Sequence, residues 1–179
     1  MIANKLPPAQ ITITKSEARR FMLIHHGLWP PRQYHGKSGV IKFISQVGSI
    51  QFDPINIVGR NPDLVLQSRI SDYQAKYLDQ LLYAERTLID GWDKMACIYS
   101  SSDWPNFAYR RKYLRENPDP RKPSQTVLNR TIDQIQKCGP ISSLDFKENT
   151  KVDWHWGPTK PVRAAMEYLY SRGYLGIHH

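Results

Sequence analysis

Gly48-Ser49-Ile50-Gln51-Phe52-Asp53-Pro54-Ile55-Asn56-Ile57-Val58-Gly59-Arg60-Asn61-Pro62 is a short apolar run broken by two polar side chains, Gln51 and Asp53. If Ser49 to Asp53 is extended, side chains alternate between faces, so Ile50 and Phe52 point towards a core while Gln51 and Asp53 share the other side. Pro54 biases Asp53 away from the helical region, and Asn61-Pro62-Asp63 reads as the cap and first turn of a helix. The spacing predicts an amide and a carboxylate side by side at the end of a strand, an arrangement suited to holding or activating a water. A plainer reading also fits, in which Asp53-Pro54 starts a turn and Gln51 is a solvated edge residue.

Upstream, Thr14-Lys15-Ser16-Glu17 is a capping-box pattern. Ala18, Phe21, Met22, His25 and Leu28 then share a helical face up to Gly27 and the Pro30-Pro31 stop. His25 and His26 in the last turn suit the helix dipole without any metal or catalytic role. Residues 1–13 read as a loose arm. Val40, Ile41, Phe43, Ile44 and Val47 form a second helical face that leads straight into Gly48.

Downstream, helices are expected from Pro62 to Ile70 and from Gln74 to Ala84. Thr87–Asp90 and Met95–Tyr99 read as strands joined around Gly91-Trp92-Asp93-Lys94. A further helix runs from Asp103 to Arg115 and is ended by the Pro-rich stretch 117–123. Beyond it, Ser124 caps a helix that stops at Gly139-Pro140. A short helical turn follows at Ser142–Phe146, then a third helix from Thr159-Lys160-Pro161 to Gly173. Tyr174–His179 reads as one strand of a wing whose partner strand is not present.

The pattern predicts a mainly α chain with small β-hairpins, organised as tandem winged-helix domains. The first is assigned to residues 1–116, the linker to 117–123 and the second to 124–179, with its wing incomplete.

Across 179 residues the chain is 40% apolar and carries a formal net charge of +9, which suits a folded protein with a polyanionic partner such as nucleic acid. No stretch has the length of a membrane span and no apolar signal core opens the chain, which reads as cytoplasmic and monomeric. Cys97 and Cys138 match no metal-ligand spacing, and both read as buried free thiols. Neither a cofactor nor a metal is expected.

Arg110-Arg111-Lys112, interleaved with Tyr109 and Tyr113, could track a DNA backbone or simply form a solvated helix face. Lys160 and Arg163 lie on the third helix of the second unit, the element that enters the major groove in ordinary helix-turn-helix proteins. Together with Arg60 and Lys94 these are the candidate DNA-contact residues. Trp154-His155-Trp156 reads as a pair of core anchors in preference to a base-stacking platform.

The block Gln51-Phe52-Asp53-Pro54-Ile55-Asn56-Ile57-Val58, followed by Arg60-Asn61-Pro62-Asp63-Leu64-Val65-Leu66-Gln67-Ser68-Arg69, resembles the signature of the YcaQ (AlkX) family of winged-helix DNA glycosylases, relatives of AlkZ. In that family a Gln-apolar-Asp triplet is the catalytic motif, with Gln-apolar-Gln in the AlkZ branch. The resemblance implies that Gln51 and Asp53 are catalytic. It also implies a monofunctional glycosylase acting on double-stranded DNA with alkylated or interstrand-crosslinked purines.

It covers the front half of a family about twice this length, so the chain alone is expected to turn over little. Many members carry His-Glu after the hairpin Trp, where this chain has Asp93-Lys94. A lyase role for Lys94 is the weaker option. The rival from another class is a non-enzymatic winged-helix regulator, which would leave the Gln-Phe-Asp strand unexplained.

Overall fold

The computed structural model describes residues 11–53 and 55–178. Helices make up about half of the chain, beside one small antiparallel sheet. Helix α1 (Lys15–His25) starts at a complete capping box. The Glu17 N–H donates to Thr14 Oγ1 at 3.2 Å, and the Thr14 N–H returns a bond to Glu17 Oε2 at 2.7 Å. None of its residues is buried, and Phe21, Met22, Leu23 and Ile24 remain exposed. Its capping signal is stronger than its packing. Most of the predicted arm, residues 1–10, lies outside the described residues.

Helix α2 (Gly36–Val47) buries Gly39, Val40, Phe43 and Ile44, the spacing of one helical face. At Gly48 the backbone takes φ 84°, a left-handed conformation that favours glycine, and β1 (Ser49–Gln51) follows at once. The strand is shorter than the predicted Ser49–Asp53. The Phe52 N–H still donates to Ala96 O at 2.9 Å, but Asp53 lies beyond the ladder.

Helix α3 (Asn61–Gln67) carries Pro62 in its first turn. Helix α4 (Ala75–Asp79) passes directly into a π-type turn at Gln80–Ala84, closed by the Glu85 N–H to Gln80 O at 2.8 Å. One uniform helix had been expected over 74–84. The wider turn lets Leu78, Leu81 and the adjacent Leu82 all face inward.

Strands β2 (Leu88–Trp92) and β3 (Ala96–Ser100) form a hairpin whose turn is Asp93-Lys94-Met95, so Gly91 and Trp92 belong to a strand and not to the connection. The strand order is β1-β3-β2, all antiparallel. Ile50, Ile98 and Leu88 join Val40, Phe43, Ile44 and Leu66 in the first core. Each such side chain contributes about 1.5–3 kcal/mol on burial.

After β3 the chain forms a 3₁₀ helix (Ser101–Phe107) and then α5 (Ala108–Glu116), where a single helix from Asp103 had been predicted. Pro105 inside the tighter segment accounts for the break. Past 117–123, α6 (Gln125–Cys138) and α7 (Pro161–Ser171) build a second core from Leu128, Trp154, Ala164, Ala165, Tyr168 and Leu169.

Three expectations for this half require correction. Ser142–Phe146 is a turn and not a helix; Asp145 Oδ2 accepts from the Ser142 N–H at 2.7 Å, a side-chain bond that competes with helical pairing. Residues 174–178 form no strand: Leu175 packs on the second core, while Arg86 Nη1 holds Ile177 O at 2.8 Å. Cys138 is exposed at the end of α6, whereas Cys97 is buried as expected.

The two halves meet along a seam of arginines and aromatics. Arg111 stacks 3.7 Å from the Trp104 ring centroid, and Arg115 Nη1 donates to Arg172 O at 3.1 Å. Asp90 of β2 lies beside this seam with a buried Oδ1 that no donor reaches among the described residues. Burial pushes its carboxyl up to about 6, against the opposing pull of its own backbone N–H and, more weakly, of Arg86 and Arg60.

A raised folded value means that the folded chain holds this proton more tightly than the unfolded chain. The associated stability is present below the unfolded value near 3.8 and lost as pH rises to about 6. Asp90→Asn removes that loss. Its stability relative to the unsubstituted chain is expected to rise by on the order of 2 kcal/mol between pH 4 and pH 7, measured by urea unfolding. An equal difference at both pH values would show that the carboxyl is not shifted.

Candidate active site

The candidate site lies where β1 runs out. Ile50 is buried and paired with Ile98, which fixes the strand's face and turns Gln51 outward to solvent. Gln51 lies opposite Cys97, and Cys97 opposite Gly91, so the three form one row across the sheet. Phe52 packs against the first core. Asp53 is half-buried, and its Oδ1 accepts the Ile55 N–H at 2.9 Å.

That bond is an Asx turn, the geometry of the plainer reading, and it also locks the carboxylate in place. Among the described residues no donor bonds Oδ2. Pro54 lies outside the described residues.

Two polar side chains that the linear sequence did not single out stand on the same side as Gln51. Ser49 precedes Gln51 by one alternation, and its Oγ donates to Asp93 Oδ2 at 3.3 Å. Asp93 lies in the hairpin turn, and only the β1-β3-β2 register brings it to the edge strand. Cys97, in the same row, is a buried thiol whose proton affinity is raised by desolvation.

The candidate DNA contacts are dispersed. Arg60 is clasped by two carboxylates, with Nε 2.5 Å from Asp63 Oδ2 and Nη1 3.0 Å from Asp79 Oδ1, while Tyr73 donates to the other oxygen of Asp63. The Asp63 bond holds the guanidinium protonated more firmly than usual. Lys94 is exposed in the hairpin turn. Arg110 reaches back to the same hairpin, lying 5.8 Å over the Trp92 ring and donating to Asp93 O.

Arg111 is taken up by Trp104 in the seam. Lys112 is exposed and 3.8 Å from Glu116. Lys160 donates to Ser143 O and Phe146 O, tying down the turn at 143–146, and Arg163 pairs with Glu167 at 3.1 Å. Gln51 and Asp53 thus lie on and just past β1, Lys94 in the neighbouring hairpin turn and Arg110 on α5 against that hairpin, while Arg60, Arg111 and Lys160 are held in internal contacts.

A sequence model of the AlkZ-like DNA glycosylases matches residues 44–179. The chain belongs to that family. The match begins inside α2, so β1, Asp53, the hairpin and the second core all fall within the AlkZ-like region, and α1 precedes it. No solved structure matches the chain.

Membership in the AlkZ-like glycosylases points to DNA as substrate and to base removal in repair. Among the described residues no helix is long and apolar enough to cross a membrane, and no cluster of His, Cys, Asp and Glu could hold a metal ion.

The Arg60 clasp separates a structural from a phosphate-binding role. Arg60→Ala is expected to destabilise the fold by about 1–2 kcal/mol, because it leaves Asp63 and Asp79 half-buried without their cation. The salt dependence of DNA affinity should stay unchanged. A salt slope reduced by about one unit, with stability intact, would instead assign Arg60 to the phosphates.

Proposed function

We propose that the chain is a monofunctional DNA glycosylase that hydrolyses the N-glycosidic bond of alkylated or interstrand-crosslinked purines, with Asp53 and Gln51 as its catalytic residues. The observation that carries the reading is Asp53 itself. It sits two residues past the end of an edge strand, one oxygen fixed by the Ile55 N–H and the other unbonded among the described residues. A carboxylate held in this way is fixed by one oxygen and keeps the other for a water.

For an N-alkylated purine such as N7-alkylguanine, the positive charge of the adduct makes the base a good leaving group. What remains is to deliver water and to oppose the charge that develops on the sugar. Asp53 serves both needs as general base and electrostatic partner, and the Gln51 amide donates and accepts hydrogen bonds that orient the water.

The tandem winged-helix organisation, with units 1–116 and 124–179 joined by 117–123, belongs to the same proposal and draws support from the two separate buried clusters. A cytoplasmic monomer is the working form. A purely regulatory winged-helix protein is the weaker reading. Helix α7 buries Pro161, Val162, Ala164, Ala165, Tyr168 and Leu169, and the Arg163 it exposes is paired with Glu167, so it offers little surface for reading a groove.

The test is single-turnover release of N7-methylguanine from an alkylated duplex by an active form of the enzyme. Asp53→Asn preserves shape but can neither take a proton nor oppose a cationic sugar. It is expected to lower the rate by about 10² to 10⁴, with DNA affinity and melting temperature nearly unchanged. Gln51→Ala should be milder. Retention of more than about a tenth of the rate in Asp53→Asn, far above the loss expected without a general base, would return Asp53 to the role of a turn residue.

A further inference from the structure

The two tryptophans of Trp154-His155-Trp156 have opposite fates. Trp154 is buried in the second core with its Nε1 on Glu167 Oε2 at 2.6 Å, whereas Trp156 is 95% exposed. Trp156 is not on a loose loop. Val152 and Thr159 exchange two backbone bonds of 2.8 and 2.9 Å that close the loop at its base, and the Gly157 N–H bonds Trp154 O at 3.0 Å beneath the tip. An indole held in water by a pinned loop is a surface kept available for an aromatic partner.

Trp156 borders a cleft of about 530 Å³ between the β2–β3 hairpin and the second core, a size usual for small-ligand sites. Trp92, partly exposed, and Arg110 line its other wall. Its floor holds Arg172, only 5% exposed, whose Nε has no acceptor among the described residues; Arg110 Nε is likewise unpartnered. The two carboxylates in the wall are already engaged. Asp119 accepts from the backbone N–H and Nε of Arg121, which holds it below the usual carboxylate range, and Glu167 pairs with Arg163. Arg172 Nη1 donates to Tyr168 O and Ser171 Oγ, and Arg110 Nη1 to Asp93 O, but among the described residues neither guanidinium has a carboxylate partner, so each keeps its positive charge and one unpaired Nε.

We infer that this cleft binds an unpaired nucleotide of a DNA strand, with the base stacked on Trp156 or Trp92 and the adjacent phosphate on Arg110 and Arg172. The occupant follows from the chemistry of the walls: flat aromatic faces for a base, and buried guanidinium donors that call for an anion. It also follows from position. Trp92 ends the strand that carries Gly91, and Gly91 lies in the row of Gln51 two strand spacings away, roughly 10 Å. A strand seated here would run beside the candidate active site. The inference rests on the proposed action on DNA but not on Asp53 being catalytic.

The experiment titrates the full chain with a thymidylate oligonucleotide of about twelve units, within the usual span of a single-strand site, and with an abasic oligonucleotide of equal length, following tryptophan fluorescence. Thymidylate is expected to bind about tenfold tighter than the abasic strand and to quench emission. Trp156→Ala should abolish that preference without changing the melting temperature, Trp156→Phe should retain most of it, and Arg110→Gln should weaken both strands alike. Equal affinities for the two strands, or a preference that survives Trp156→Ala, would overturn the proposal. Asp53→Asn is expected to leave the preference intact, so an active Asp53→Asn enzyme would end the catalytic reading while this one stood.

Discussion

Strand β3 is the element on which both the core and the candidate site depend. It hydrogen-bonds β1 on one side and β2 on the other, so its register decides which residues meet across the sheet. One face of it buries Ile98 between Ile50 and the leucines of the first core. The other face carries Cys97 beside Gln51 and sets Tyr99 against Phe107, with ring centroids 4.5 Å apart. Tyr99 fills the space where Gly91 would need a Cβ, its hydroxyl only 2.3 Å from that position. A shift of one residue in this strand would exchange the two faces and put Gln51 in the core.

The arginines show how a charge run can be read correctly as residues and incompletely as a role. Arg110, Arg111 and Arg115 cluster on α5, and from sequence that cluster fits a solvated helix surface as well as a phosphate track. In the fold each finds an aromatic ring: Trp92, Trp104 and Tyr174. The Arg115–Tyr174 contact joins the two halves while the other two brace α5 against the hairpin and the 3₁₀ helix, and all three draw on the weak hydration of guanidinium, which lysine lacks. Only the tertiary partner distinguishes these uses, and none of those partners lies within a helical turn of its arginine.

Local chemistry was therefore legible, and the rest much less so. The Thr14 capping box, the proline starts at Pro62 and Pro161, the hairpin, and the extension of the chain at Gln51 are all set by neighbours in sequence. The π-type turn at Gln80–Ala84 is not, because it arises from the first core drawing in Leu81 and Leu82 together. The same holds for 174–178, whose β-like pattern gives way to contacts with Arg86 and the second core, and for the Trp154/Trp156 pair, where one indole found a core and the other did not. Asp93 came to Ser49 because β3, which follows the Asp93 turn, also pairs with the distant strand that carries Ser49.

Gly48 has a consequence for how the length of this region can vary. It is the sole residue between the end of α2 at Val47 and the start of β1 at Ser49, so helix and strand are joined without slack. One residue inserted before it would rotate the rest of α2 by about 100° relative to its buried face, and one inserted after it would turn Gln51 over. Between Gly36 and Phe52 the chain length is thus locked by two periodicities at once. Variation there is confined to substitution, whereas residues 56–59, outside any helix or strand, are where insertions and deletions can be absorbed.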